Sequence, residues 1–295
     1  MIVDGIRTHY WDAGEGLPVV LLHSGEFGAS AEFTWERTIG SLAERYRVLA
    51  PDWLGYGDTD KIVDFGSPKA RMLGHMTRFL DVMDVGPAAF IGSSMGGTVL
   101  VELLASAEPR WPVAAAVVAS GGGFVPLNDA RRALVDYQGD RDGMRRIVQA
   151  LFCDPAVAAD DAYVDRRHVA SLRPGAWEAT AASRFRSPAR APREEFGRPD
   201  TIPYEQVSVP VLLVAGSADK LREPGYAAEI RRRIPEARLA VLERCGHMPQ
   251  LEDPDRFNTL VLDFLATDYT AAAREDCRDA RPSPDQVAAI PQRHA

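Results

Sequence analysis

Short apolar runs alternate with longer segments of helical period along most of this 295-residue chain. Each run lasts four or five residues and ends in a polar or glycine-rich loop, which is typical of a buried strand. Strands that alternate with helices in this way form a mostly parallel sheet covered by helices on both faces. We therefore predict an α/β fold with six buried strands, at 19–22, 47–50, 88–91, 114–118, 211–214 and 239–242.

The alternation stops between about residues 124 and 205. This segment has no buried-strand run, is rich in Arg, Asp, Ala and Pro, and contains helical stretches at 142–152 and 161–171. Long connections in compact domains are usually functional or disordered. We predict a helical lid over the strand ends, with a disordered linker as the alternative for 186–199. The predicted divisions are 1–123 and 206–266 for the core, 124–205 for the lid and 267–295 for a flexible tail.

Composition excludes several classes of protein. The formal charge of −8 and pI of about 5.3 disfavour nucleic-acid binding, which needs clustered basic residues. The three cysteines are odd in number and form no C-x-x-C pair, which argues against a disulfide framework and a structural zinc site. Neither a signal peptide nor a membrane span is apparent. We expect a cytoplasmic protein that binds no nucleic acid and does not span a membrane.

Two adjacent serines follow the third predicted strand. The motif Gly92-x-Ser94-x-Gly96 lies between this strand and a helical segment, the context of a nucleophile elbow. Such a sharp turn brings the residues two before and two after the nucleophile together, so both must be small. Only Ser94 has glycine at both positions, whereas Ser93 would have large side chains there. We predict that Ser94 is the exposed nucleophile; the alternative is a serine that caps the following helix.

A serine nucleophile needs a base, which is itself oriented by an acid. In this architecture the chain order is serine, acid, histidine, with the last two on loops after later strands. Of the six histidines, only His247 follows a late strand, and Asp219 follows the strand before it. Asp129 is the second candidate for the acid. The alternatives are a buried structural role for His247 and a loop or capping role for Asp219.

The loop after the first predicted strand should complete an oxyanion hole. We predict the backbone N–H of Gly25 as one donor and that of Met95, directly after the nucleophile, as the other. Glu26 is unusual here, because a carboxylate about 4 Å from an oxyanion would repel it by a few kcal/mol even at a high effective dielectric constant. Glu26 must therefore point away, be paired with a cation or be protonated.

With these residues located, the chain resembles the α/β-hydrolase superfamily and, within it, the meta-cleavage-product hydrolases that split carbon–carbon bonds in aromatic degradation. The resemblance runs from about residue 8 to 265. It rests on GAS at 28–30, APDWLGYGDTD at 50–60, the elbow with its double glycine, CGH at 245–247, and RHVAS at 167–171 followed by PG at 174–175.

The resemblance implies a cofactor-free serine hydrolase that cleaves a 2-hydroxy-6-oxo-dienoate-type ring-cleavage product, and it suggests a homodimer. Arg167 would bind the acidic end of the substrate or its dienolate, and we hypothesise that it pairs with Glu26 when the site is empty. The alternative for Arg167 is a solvated lid arginine. Ser93 and Met248 stand where the family usually has Asn and Trp, which makes them candidate substrate-binding residues.

Two other functions stay open from the sequence. A carboxylesterase or lactonase would use the same triad on an oxygen leaving group. A ligand-binding protein with the hydrolase fold would need no triad at all, since a fold does not establish a function. The residues of the triad cannot separate the first alternative from carbon–carbon cleavage.

Overall fold

The computed structural model describes residues 1–106, 111–182 and 196–272. The strands in these ranges are β1 (Ile2–Val3), β2 (Ile6–Arg7), β3 (Tyr10–Ala13), β4 (Pro18–Leu22), β5 (Arg47–Pro51), β6 (Ala88–Ser93), β7 (Val113–Ala119), β8 (Val211–Gly216) and β9 (Arg238–Leu242). β1 and β2 form an antiparallel hairpin. The other seven form one sheet in the order β3-β5-β4-β6-β7-β8-β9, which is parallel except for β3.

Helices connect the strands and cover the sheet. They are α1 (Ala31–Trp35), α2 (Ile39–Ala43), α3 (Pro68–Val82), α4 (Met95–Leu104), α5 (Asp129–Val135), α6 (Arg141–Leu151), α7 (Pro155–Ala159), α8 (Asp161–Ser171), α9 (Ala176–Ala181), α10 (Tyr226–Arg233), α11 (Pro249–Glu252) and α12 (Pro254–Phe264). Within the described ranges, no helix is both long enough and apolar enough to cross a bilayer.

The sheet is buried on both faces because its central strands are apolar at almost every position. Successive residues of a strand point to opposite faces. Val20 and Leu22 of β4 pack with α3, α4 and α10, whereas Val19 and Leu21 pack with α1, α2 and α12. Each fully buried Leu or Val side chain contributes about 1.5–3 kcal/mol. The resulting α/β hydrolase fold has a core on each side of the sheet.

All six strands predicted from the sequence are confirmed to within two residues at each end. The sequence pattern missed β3, which pairs antiparallel with β5 at the edge of the sheet. Its residues are exposed or only partly buried, with Trp11 at 43% exposure. An edge strand of this kind needs no apolar run, so the pattern that identified the other strands was absent.

The helices α5 to α9 lie between β7 and β8, inside the segment that the sequence predicted as a lid; residues 183–195 of that segment lie outside the described residues. The predicted helices at 142–152 and 161–171 correspond to α6 and α8. These helices share an apolar cluster with Phe27, Leu221 and Met248. Those three residues follow β4, β8 and β9, so the helical segment packs over the carboxyl ends of three strands.

The carboxyl-terminal helix extends beyond residue 266, where the sequence predicted the flexible tail to begin. A π-helical turn, Leu265–Tyr269, follows α12 directly. The Tyr269 ring is fully buried, and its hydroxyl donates to the backbone oxygens of Pro18 (2.9 Å) and Pro87 (3.3 Å). This aromatic side chain holds the end of the chain to the sheet. The remainder of the predicted tail, 273–295, lies outside the described residues.

We expect Tyr269→Phe to lower the free energy of unfolding by about 0.5–1.5 kcal/mol, because two backbone carbonyl oxygens lose the hydroxyl donor that they share. Urea denaturation followed by circular dichroism measures this change. Tyr46→Phe is the matched control: its ring lies 6.4 Å from that of Tyr269, yet its hydroxyl donates no hydrogen bond within the described residues. Equal losses in the two variants would contradict an anchoring role for the Tyr269 hydroxyl.

Candidate active site

A strained turn joins β6 to α4 and presents Ser94. The backbone of Ser94 has a φ of 52°, in the left-handed region, and residues other than glycine adopt this region at a cost in strain. A Cβ atom on Gly92 would lie 2.5 Å from the carbonyl carbon of Gly96, and a Cβ atom on Gly96 would lie 2.3 Å from the carbonyl oxygen of Leu22. Neither position can accept a larger residue without a shift of the backbone, which is the reason for the glycines flanking Ser94.

The two neighbouring serines have different surroundings. Ser94 is partly exposed, whereas Ser93 is fully buried and accepts a hydrogen bond of 3.1 Å from the side-chain amide of Gln250. Ser94 is therefore the more exposed of the two serines, and its role as nucleophile stays a prediction. Ser93 belongs to the interior beneath the turn.

Ser94, His247 and Asp219 form a hydrogen-bonded chain. The Oγ of Ser94 lies 2.7 Å from Nε2 of His247, and Nδ1 of His247 lies 2.8 Å from Oδ2 of Asp219. The side chains of His247 and Asp219 are almost completely buried, at 1% and 3% exposure. This is the geometry that a serine nucleophile, a base and an orienting acid require.

Asp219 is held as a carboxylate. Burial by itself would raise its pKa, but the charge of His247 and the hydrogen bonds from His247 and the N–H of Leu221 outweigh burial and lower the pKa. A carboxylate accepts from the imidazole, so Nδ1 of His247 carries the proton and Nε2 is free to accept from the Ser94 hydroxyl. This arrangement gives His247 the tautomer that a general base needs.

The second candidate for the acid is not at the site. Asp129 lies at the first position of α5, its side chain is 99% exposed, and it pairs with Arg132. Its place after β7 in the chain resembled that of a triad acid. The tertiary structure directs it to solvent instead, so Asp129 is excluded as the partner of His247.

The loop of His247 is fixed to the helical segment between β7 and β8. The backbone N–H of His247 donates to the carbonyl oxygen of Leu151 at 2.8 Å. The carboxylate of Glu252 accepts from the backbone N–H groups of Gly246 and Cys153, at 2.7 Å each. These contacts join α6 to the loop, so His247 is held in position by the helical segment as well as by Asp219.

His23 orients the loop of the predicted oxyanion hole. Its Nδ1 donates to the carbonyl oxygen of Ser24 at 2.6 Å, and its Nε2 accepts from the N–H of Trp53 at 2.9 Å. Burial lowers the pKa of His23, which favours this neutral form with one donor and one acceptor. The Ser24 carbonyl and the Gly25 N–H belong to the same planar peptide, so His23 also fixes the direction of that N–H.

Gly25 and Met95 lie against each other. A Cβ atom on Gly25 would lie 2.5 Å from Sδ and 3.0 Å from Cβ of Met95, so a larger residue at this position would require the Met95 side chain to move. Met95 is the first residue of α4, where a backbone N–H has no acceptor within the helix. The Gly25 N–H also has no acceptor within the described residues. Both predicted donors are thus available beside the serine turn.

Glu26 forms a buried ion pair with Arg167 of α8. One guanidinium nitrogen, Nη2, lies 2.6 Å from Oε1 of Glu26, and the two side chains are 1% and 2% exposed. The interpretation of Arg167 as a solvated arginine is therefore wrong. Burial alone would raise the pKa of Glu26, but the charge of Arg167 and its hydrogen bond lower it below the ordinary value.

Arg167 is only partly satisfied by this pair. Its Nε and Nη1 atoms are buried and have no hydrogen-bond partner within the described part of the chain. The guanidinium also lies over the ring of Phe33, with its carbon 5.1 Å from the ring centre. A buried cation with unused donors remains next to the loop that carries Gly25.

The sequence and the structure were compared with those of known proteins. The model of the alpha/beta hydrolase family matches residues 19–260. The chain belongs to this family. The hydrolase is 32% identical over 277 residues to the 2-hydroxy-6-oxo-6-(2'-aminophenyl)hexa-2,4-dienoic acid hydrolase of Metapseudomonas resinovorans, with 91% of each chain covered.

Two further relatives have related activities. The hydrolase is 29% identical to the 2-hydroxymuconate semialdehyde hydrolase of Pseudomonas sp. strain CF600, over 92% of this chain and 95% of the relative. A solved structure, a serine-to-alanine variant of the meta-cleavage product hydrolase from Pseudomonas fluorescens IP01 complexed with acetates, is similar with a TM-score of 0.77 and 28% identity. That comparison covers 90% of this chain and 96% of the other.

Two of the predicted substrate-binding residues of the hydrolase meet at Gln250. Met248 is fully buried, and its sulfur lies 3.9 Å from the amide nitrogen that donates to Ser93. Substrate contacts of Ser93 and Met248 stay predictions. Sequence reasoning missed Gln250, although its position three residues after His247 was a signal that could have drawn attention to it.

No group of three or more His, Cys, Asp or Glu side chains suitable for a metal ion occurs among residues 1–106, 111–182 and 196–272.

Proposed function

We propose that this hydrolase cleaves the C5–C6 bond of a 2-hydroxy-6-oxohexa-2,4-dienoate, with Ser94 as nucleophile, His247 as general base and acid, and Asp219 as the residue that orients His247. The observation that carries the proposal is the Ser94–His247–Asp219 hydrogen-bonded chain, in a protein whose relatives over nine-tenths of its length are named as hydrolases of such dienoates.

The reaction begins with ketonisation of the substrate. The 2-hydroxyl group loses its proton and C5 gains one, which gives a 2,6-diketone with a double bond between C3 and C4. The electron pair of the C5–C6 bond can then move through this double bond to the C2 oxygen. Carbon becomes a competent leaving group because the resulting dienolate spreads the charge over C5, C3 and the C2 oxygen.

Cleavage follows from attack at C6. His247 takes the proton of Ser94 as the oxygen adds to the C6 carbonyl, and the N–H groups of Gly25 and Met95 stabilise the oxyanion; each such donor typically contributes about 3–4 kcal/mol. The C5–C6 bond breaks, and the dienolate leaves as 2-hydroxypenta-2,4-dienoate after protonation. Water, deprotonated by His247, then hydrolyses the acyl-serine to a carboxylic acid. The balance is substrate plus one water to two products.

Arg167 would hold the anionic end of the substrate. Its unpartnered Nε and Nη1 atoms support this role, because buried donors without partners gain a full hydrogen bond from an incoming carboxylate or dienolate oxygen. Glu26 keeps the guanidinium in place in the empty site and neutralises it there. The helices α5 to α9 would act as the lid that excludes water from the dienolate. The homodimer and the cytoplasmic location stay predictions.

Turnover of two substrates tests the proposal. We expect kcat/KM for 2-hydroxy-6-oxo-6-phenylhexa-2,4-dienoate, followed by loss of its dienolate absorbance, to exceed that for p-nitrophenyl butyrate by about 100-fold or more. The reason is that an ester offers no anionic group to Arg167 and loses that part of the binding energy. Rapid hydrolysis of the ester, with no loss of the dienolate absorbance, would contradict carbon–carbon cleavage and favour an esterase.

A further inference from the structure

The acid and the nucleophile of the site lie on loops that follow different strands. Ser94 follows β6, Asp219 follows β8, and β7 lies between these two strands in the sheet. The carbonyl oxygen of Ala119, at the end of β7, accepts from the N–H of Ser94 at 2.8 Å. The N–H of the next residue, Ser120, donates to the carbonyl oxygen of Val214 in β8 at 3.0 Å. The distance between acid and nucleophile therefore depends on this strand end.

Arg222, three residues after Asp219, binds the same strand end with its guanidinium group. Nε and Nη2 both donate to the carbonyl oxygen of Ser120, at 3.0 and 2.8 Å. Ser120 has a φ of 51°, and a residue other than glycine keeps such a backbone only where its surroundings hold it. Because a guanidinium is a rigid planar fork, its two N–H groups fix the direction of this carbonyl as well as its distance.

The same guanidinium approaches the serine turn through Thr98 of α4. Nη2 of Arg222 lies 3.4 Å from Oγ1 of Thr98. The Thr98 hydroxyl donates to the carbonyl oxygen of Ser94 at 3.0 Å and accepts from the N–H of Gly122 at 3.0 Å. Thr98 thus ties the first turn of α4 to the strand end that Arg222 holds.

The carboxylate of Asp219 moves with its own loop. Oδ1 accepts from the backbone N–H of Leu221 at 2.8 Å, and Oδ2 lies 2.8 Å from Nδ1 of His247. One oxygen is therefore fixed to the loop, while the other has to meet the imidazole, so a shift of the loop changes the second distance directly. Arg222 is the residue after Leu221, and its bonds to Ser120 restrain this shift.

Support of the fold alone is a poor explanation for a buried guanidinium at this position. Arg222 is only 6% exposed, and within the described part of the chain its hydrogen bonds go to Ser120 and Thr98. These acceptors are uncharged, so no ion pair offsets the cost of burying the cation. What the guanidinium supplies here is a fork with fixed directions, which an apolar side chain of the same length lacks.

We propose that Arg222 is a positioning residue: its fork holds the Asp219 loop at the distance from the serine turn at which His247 bridges the two. Arg222 acts through Ser120 and Thr98 and not on the reacting atoms. The inference rests on the proposed roles of Ser94, His247 and Asp219, but it is independent of the substrate, because any reaction of the serine needs this hydrogen-bonded chain.

Reaction with diethyl p-nitrophenyl phosphate measures the nucleophile without a dienoate. The Oγ of Ser94 forms a bond to phosphorus, its proton passes to His247, and p-nitrophenolate leaves. We expect Arg222→Met to lower the second-order rate constant by about 30-fold to 100-fold, because misplacement of catalytic groups by about 1 Å has effects of this size. Arg222→Lys, which keeps a donor for the Ser120 carbonyl, should lower it by less than about tenfold.

Lys220→Met is the matched control on the same loop. The ammonium group of Lys220 donates to the carbonyl oxygens of Gln149 and Phe152, at 2.8 and 2.9 Å, and reaches neither Ser120 nor Thr98. Removal of this cation should leave the rate constant within about twofold of the wild-type value, as for an exposed charge.

Two further measurements separate positioning from a general loss of structure. The proton on Nδ1 of His247 resonates far downfield while it is bonded to a carboxylate, and this resonance should move upfield in folded Arg222→Met. Thr98→Val should also slow the reaction with the phosphate ester. The Arg222→Met/Thr98→Val double variant should be hardly slower than Arg222→Met, because the effects of residues that act through one link are not additive.

The outcomes distinguish this inference from the proposed function. Equal rate constants and an unchanged resonance in wild type and Arg222→Met would overturn the positioning role. If Arg222→Met did not fold, an unchanged rate constant in Thr98→Val would overturn it instead. A slower reaction of Arg222→Met with the phosphate ester, in a protein that leaves the dienoate intact, would support the positioning role and overturn carbon–carbon cleavage.

Discussion

Ser94→Ala should lower kcat for the dienoate by at least about 10⁴-fold while leaving the protein folded, because the nucleophile is lost and only substrate binding and the N–H donors remain. His247→Ala should have an effect of similar size. The effects of substituting residues that act as one unit are not additive. The kcat of the Ser94→Ala/His247→Ala double variant should therefore be hardly lower than that of either single variant. Stopped-flow measurement of dienolate absorbance would follow both steps, ketonisation and cleavage.

The neighbouring serine provides the comparison. Ser93→Ala removes only the hydrogen bond from Gln250, and we expect kcat to fall by less than about tenfold. Asp219→Asn, in contrast, should lower kcat by about 10⁴-fold, because the side-chain amide favours the tautomer of His247 that cannot accept the proton of Ser94. The exposed Asp129 supplies its control as Asp129→Asn. If Ser93→Ala were as inactive as Ser94→Ala, the assignment of the nucleophile would fail.

Arg167→Met should lower the free energy of unfolding by about 3–5 kcal/mol at pH 7, because it leaves the buried carboxylate of Glu26 without its cation. The double variant with Glu26→Leu should recover most of this loss, since replacing a buried pair by apolar residues is often neutral. Urea denaturation at fixed pH measures both changes. If the double variant were as unstable as Arg167→Met, the lost packing of the long side chain, and not the unpaired charge of Glu26, would be the cause of the lower free energy of unfolding.

The same pair gives a pH dependence. The pKa of Glu26 is lower in the folded protein than its ordinary value of 4.5. The pair therefore contributes its full stability above that value, and this contribution is lost as the pH falls through the lowered pKa. Without Arg167, burial raises the pKa of Glu26, so the carboxyl group becomes neutral on mild acidification. The stability difference between wild type and Arg167→Met should therefore begin to narrow above pH 4.5, as Glu26 of the variant takes up a proton, and should narrow further as the pH falls through the lowered pKa of the wild type.

Arg166→Met is the matched control for this series. Arg166 is the neighbouring residue on α8, its side chain is 50% exposed, and it pairs with Glu36, which is 27% exposed. Exposed pairs of this kind contribute about 0–1 kcal/mol, because water and salt screen the charges. A loss from Arg166→Met as large as that from Arg167→Met would show that burial of the charge is not the cause.

The sequence by itself determined the features that local chemistry dictates. Apolar runs identified the central strands, because a strand buried on both faces can contain little else. The glycines around Ser94 identified the serine turn, because a side chain at either position would collide with backbone. Chain order then indicated His247 and Asp219. In the structure His247 lies within hydrogen-bond distance of both Ser94 and Asp219, in the arrangement that this order predicted.

Only the tertiary structure decided what depends on distant residues. The Glu26–Arg167 pair joins residues 141 positions apart, and its burial follows from the packing of α8 over the first strand loop. The exclusion of Asp129 from the triad and the anchoring of Tyr269 have the same origin. Side-chain burial is set by elements that meet in space, and a linear pattern records only each residue's own neighbours. The strained turn at Ser94 is set by the residues next to it in the sequence, whereas the charged groups around it are placed there by the packing of distant elements.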